Sequence, residues 1–71
     1  MAAQLFGLAE FDEETGEPDP HRVRIWGMET PDGAILYWRD SDRRNQFIVA
    51  DSATSAASRF GPVFDLGLVR C

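Results

Sequence analysis

The sequence predicts an α+β domain, a small antiparallel sheet of three to five strands with one short helix. Three observations carry that prediction. Two apolar runs flank Thr30-Pro31-Asp32-Gly33, a stretch rich in turn residues. Further on, Ala53, Ala56, Ala57 and Phe60 recur at i, i+3, i+4 and i+7, the spacing of one helix face. The runs 46–50 and 63–69 are short and apolar, as strands are.

Residues 4–11 read as a strand, because Gly7 lowers helical propensity; one and a half helical turns are the alternative. Residues 12–20 form an acidic loop, interrupted by Gly16, Pro18 and Pro20. A hairpin follows, with strands 22–30 and 34–40. Proline presets φ for a first turn position, Asp tolerates the second and Gly supplies positive φ, which suits a three-residue loop with a glycine bulge. A two-residue Asp32-Gly33 loop would leave Pro31 in a ladder position needing an absent N–H. The three-residue loop sets Trp26 opposite Trp38, Met28 opposite Leu36, Thr30 opposite Ala34 and Arg24 opposite Asp40. On the other face it sets Ile25 opposite Arg39, Glu29 opposite Ile35, and Gly27 beneath the Tyr37 ring.

Residues 46–50 read as a third strand, antiparallel to the second. The helix spans 52–60, with Asp51 or Ser52 as its N-cap. Gly61 suits the left-handed position after a helix, and Pro62 prevents continuation. Residues 63–69 alternate Phe64, Leu66 and Leu68 on one face and close the fold as a final strand.

A length of 71 residues sets the domain count at one, spanning 1–71. Such a chain buries only about 60% of its unfolded surface, so small domains often add a disulfide, a metal or a partner subunit. Cys71 is the only cysteine and His21 the only histidine, which excludes an internal disulfide and leaves too few ligands for a structural zinc. Self-association is the aid that remains, and the expectation is a homo-oligomer. No run of about 18 apolar residues appears, so no membrane span is expected. The start lacks the basic region of a signal peptide, which points to the cytoplasm. The net charge is −5, and six of the twelve acids fall between Glu10 and Asp19 with no base among them. All seven bases are Arg, a usage that fits a GC-rich bacterium or its phage.

The residues with chemistry do not assemble into a motif. His21 and Cys71 would pair only if the fold returned the C-terminus to the start of the second strand, and no third group orients them. The acidic run from Asp12 fails the calcium-loop pattern, with Val23 where the bidentate Glu belongs. No glycine loop is built to cradle phosphate. The expectation is therefore a protein that is not an enzyme and carries no cofactor or metal.

Surface is the remaining lead. In the expected register the hairpin is apolar on both sides, with Trp26, Met28, Leu36 and Trp38 on one and Val23, Ile25, Ile35 and Tyr37 on the other. One short helix covers only one face. The Trp face reads as core, and Val23, Ile25, Ile35 and Tyr37 read as a partner-binding face. The expected function is a small protein–protein interaction module or structural subunit that self-associates. Two alternatives stand beside it. Arg39, Arg43 and Arg44, near Tyr37, Trp38 and Phe47, suit a nucleic-acid-related regulator. The 10–19 loop suits an acidic inhibitor that mimics DNA.

Overall fold

The computed structural model describes residues 3–70. Its elements are β1 (Gln4–Phe11), β2 (Pro18–Thr30), β3 (Gly33–Arg39), β4 (Asn45–Ala50), α1 (Ala53–Phe64) and β5 (Leu66–Arg70). The strands form one antiparallel sheet in the order β4-β3-β2-β1-β5. The first four make a meander. Helix α1 then carries the chain across one face, and β5 pairs with β1 at the far edge. This is the expected α+β fold with all five strands present. No described helix is long and apolar enough to cross a membrane.

Segment 4–11 is a strand, and it lies between β2 and β5. Gly7 is there for space: a Cβ at this position would lie 2.6 Å from Val23 Cγ1. The acidic loop is shorter than expected, because β2 begins at Pro18 and takes in both prolines. Pro18 is the first strand residue, where a missing N–H is tolerated. The remaining turn is tight. Asp12 N–H donates to Glu17 O and Gly16 N–H to Asp12 O, both at 2.8 Å. Further along, the pairing of β1 with β2 skips Arg24, between Leu8↔Ile25 and Ala9↔Val23. This β-bulge puts Val23 against Gly7 on the face opposite Ile25.

The central hairpin differs from the expected register by one residue. Its loop is Pro31-Asp32 alone, and Thr30 pairs with Gly33. Pro31 thus sits in the loop, where its lack of an N–H costs nothing. Thr30 Oγ1 accepts from Asp32 N–H and donates to Gly33 O, both at 3.2 Å. The consequence is a change of face, because a one-residue slip turns every side chain over. Trp26 pairs with Tyr37, Gly27 with Leu36 and Met28 with Ile35. Trp26 and Trp38 therefore lie on opposite faces and do not stack. An aromatic ring does shield Gly27, but it is that of Phe6: a Cβ at Gly27 would overlap this ring.

Ser52 is the N-cap, its Oγ accepting from Ser55 N–H at 3.0 Å. The helix runs four residues beyond the expected 60, through Gly61 and Pro62, so β5 starts at 66 and not 63. Gly61 serves close packing, since a Cβ there would lie 2.8 Å from Leu66 O. The left-handed residue is Asp65 (φ 56°, ψ 50°), whose N–H donates to Gly61 O. Pro62 forfeits one helical hydrogen bond without ending the helix.

The core lies between α1 and one sheet face. Phe6, Leu8, Ile25, Leu36 and Leu66 meet Ala53 and Ala56 there, with Trp38, Ile48 and Phe60 around the rim. Small alanines let the helix approach closely. Glu29 ties three elements together: its Oε2 accepts from Ala53 N–H at 2.8 Å, and its Oε1 meets Arg70 Nη1 at 3.0 Å.

Two carboxyls are held below their ordinary values. Glu29 is lowered first by the Ala53 N–H and then by Arg70; Asp40 is lowered first by the Arg44 N–H and then by Gln46. The folded chain thus binds these protons less readily than the unfolded chain. Stability from the two groups is complete above their ordinary values of 4.5 and 3.8 and is lost as pH falls through the lower folded values. The urea midpoint is expected to hold between about pH 7 and 5 and to fall below that. Glu29→Gln with Asp40→Asn should flatten the fall; an unchanged acid slope would assign it to other groups.

Candidate functional site: an uncovered sheet face

Alternation along the strands leaves one face of the sheet with no layer over it. A helix is about 10 Å wide, and the only one described crosses the other face. Two cross-strand rows define the open face. One is Val69, Gly7, Trp26, Tyr37 and Phe47, from β5 to β4. The other is Leu5, Met28, Ile35 and Val49. Neither row contains a charged residue.

The β1–β5 side of this face is covered in part by its own side chains, although Leu5 stays 58% exposed. Val23 lies across Gly7, the Phe11 ring and Pro18 fill the space above Gly67, and Ala9 is fully buried. The β2–β3–β4 side is not. Phe47 is 68% exposed and Val49 74%, with Trp26, Met28 and Ile35 each more than 40% exposed. Tyr37 packs on Phe47 with ring centroids 5.2 Å apart. Five large side chains of roughly 150–250 Å² each, at these fractional exposures, leave on the order of 600 Å² uncovered. That matches the largest apolar patches of ordinary monomers, which are often functional.

Of the expected partner-binding residues, Val23, Ile35 and Tyr37 share this open face. Ile25 does not: it is 4% exposed and packs under α1. In its place stand Trp26 and Met28, which the expected register had assigned to the core. The side chain of Thr30, hydrogen-bonded across a two-residue loop, is the signal that would have corrected the register.

Arg39, Arg43 and Arg44 gather at the β3–β4 connection. Asp40 and Asp42, which lie between them in sequence, form no ion pair with them. The Asp40 carboxylate instead accepts from the N–H groups of Asp42 and Arg44 and from Gln46 Nε2. Arg39 Nε donates to Asn45 Oδ1, which also accepts from Tyr37 OH. No described carboxylate lies within ion-pair distance of the three arginines. At the opposite end of β3 and β4 stand Asp32 and Asp51, both exposed. The first end thus holds three arginines against the two carboxylates of Asp40 and Asp42, and the other end carries carboxylates.

A cleft of about 600 Å³ opens on the helix side, lined in part by Glu10, Arg22, Arg24, Trp38 and Phe64. Three of its charges satisfy one another, with Glu10 bridging Arg22 at 2.7 Å and Arg24 at 2.8 Å. Elsewhere, His21 lies exposed on β2 with its backbone N–H donating to Asp19 Oδ1, and Cys71 falls outside the described residues. The acids from Asp12 to Glu17 sit on the β1–β2 turn, and no three metal-ligating side chains converge among the described residues. No protein-family model, curated protein or solved structure matches the chain.

Proposed function

We propose that this chain is a small, non-enzymatic protein–protein interaction module or structural subunit, working through the uncovered sheet face. The observation that carries the reading is the pair of exposed, charge-free rows across β2, β3 and β4. Aromatic anchors within an apolar patch are the usual energetic centre of a protein interface. Exposing such a patch costs solubility and stability, so its occupation by a protein surface is the economical account of it. The nucleic-acid reading through Arg39, Arg43 and Arg44 ranks second, because three cations on a chain of net charge −5 give a weak field.

The test is a photo-cross-linking residue placed at Val49 and, as a control, at Arg59 on the outer side of α1. In the cell that makes the protein, Val49 is expected to cross-link to protein and Arg59 is not. Equal labelling from both positions, or none from Val49, would reject the reading.

A further inference from the structure

We infer that the occupant of the open face is a second copy of this chain, packed sheet on sheet about a two-fold axis running across the strands. This rests on the docking reading of the same face. An isologous interface must complement itself, because the same patch serves both subunits. This patch does so in three respects.

The first is shape. Trp26, Tyr37 and Phe47 form an aromatic row, and Met28, Ile35 and Val49 an aliphatic row beside it. A two-fold axis between the rows lays the aromatic row of one copy on the aliphatic row of the other. Large then meets small along the seam, and two sheets about 10 Å apart fill the gap evenly. An axis along the strands would instead set rings against rings and leave the aliphatic rows apart.

The second is charge. Arg39, Arg43 and Arg44 outnumber Asp40 and Asp42 at one end of the patch, where the Asp40 carboxylate is taken up by N–H groups of its own loop, and Asp32 and Asp51 stand at the other. The axis across the strands reverses the ends, so the arginines of each copy approach the carboxylates of the other. The two rows themselves carry no charge, so the centre of the interface brings no like charges together in two chains of net charge −5.

The third is area. About 600 Å² from each copy gives roughly 1,200 Å² in total, the lower edge of the range for specific interfaces. Three strands span about 14 Å, wider than a helix, and a flat patch of that width is matched by another sheet.

Sedimentation velocity on the full chain, up to about 100 µM, gives the first readout, since standard interfaces reach micromolar affinity or better. The expected result is a dimer. Phe47→Asp should weaken it ~100-fold or more with an unchanged circular dichroism spectrum, because a carboxylate would be buried without a partner. Val49→Asp provides the same test at a second exposed position should the first variant misfold. In a sample mixing labelled and unlabelled chains, isotope-filtered NOEs are expected between the rings of Trp26 and Phe47 and the methyls of Met28 and Val49. Ring-to-ring contacts alone, or a dimer that survives both substitutions, would overturn the inference. A monomer at every concentration would overturn it too. Cross-linking from Val49 to a different protein would then leave the docking reading standing, and its absence would remove both.

Discussion

Truncating Phe6 to alanine should cost about 3–5 kcal/mol, the range for removing a large aromatic from a packed core. The Phe6 side chain is fully buried at the centre of the sheet, under α1. Domains of this size are stable by only ~4–10 kcal/mol, so the variant is expected to lie near or beyond its unfolding transition. The reciprocal change is as informative. Gly27→Ala puts a methyl into the space of the Phe6 ring, with Cε1 at 2.5 Å and Cε2 at 2.6 Å. Overpacking of that kind costs about 1–3 kcal/mol. The two changes share one volume, so the double variant should be more stable than the sum of the single costs predicts. Urea unfolding at one fixed protein concentration measures all three, since a dimer of the proposed kind would make stability depend on concentration. Strict additivity would show that ring and glycine do not share the space.

Elements defined by local pattern were legible in the sequence. The segment 4–11, the strand near 46–50 and the start of α1 follow from periodicity and capping within a few residues. The features that were not legible depend on distant atoms. Gly61 looks like a helix stop, yet it is required by the carbonyl of Leu66, which lies in the next element. Gly33 looks like a loop residue, yet it pairs with Thr30 in the sheet and has its Cβ position against the Ala50 carbonyl.

The candidate site shows the same division. Ile35 and Tyr37 were placed on one face correctly, since alternation along β3 needs only β3. Trp26, Met28 and Ile25 were placed on the wrong faces, since their side depends on a loop length that differs by one residue. The bulge at Arg24 changes the phase of β2 again, and this carries Val23 to the open face without Ile25. An apolar surface was therefore expected for a sound reason, a single helix against a two-faced sheet, but Ile25 is not on it, and Trp26, Met28, Phe47 and Val49 are.

The second large effect is expected at Gly33. Its φ is +145°, a conformation that residues with a side chain rarely adopt, and a Cβ there would lie 2.9 Å from Ala50 O. Strain and overlap together should make Gly33→Ala cost about 3 kcal/mol. Gly16 supplies the control. It has φ +74° but nothing within 4 Å of a built Cβ, so Gly16→Ala carries backbone strain alone. That cost should be about 1 kcal/mol, and Gly16→Asn should recover most of it, because Asn tolerates the left-handed region. Asn at Gly33 should recover nothing, since the carbonyl of Ala50 still blocks it. Hydrogen exchange would locate the damage. Protection is expected to fall at Ala34, Leu36 and Ile48, where β3 meets β4, and to hold at Leu8, where β1 meets β5. Because Ile35, Tyr37, Phe47 and Val49 take their places from that same pairing, dimerisation should weaken along with the protection. Equal costs at the two glycines would trace the requirement to the backbone angle alone and leave the Ala50 contact without a part in setting the face.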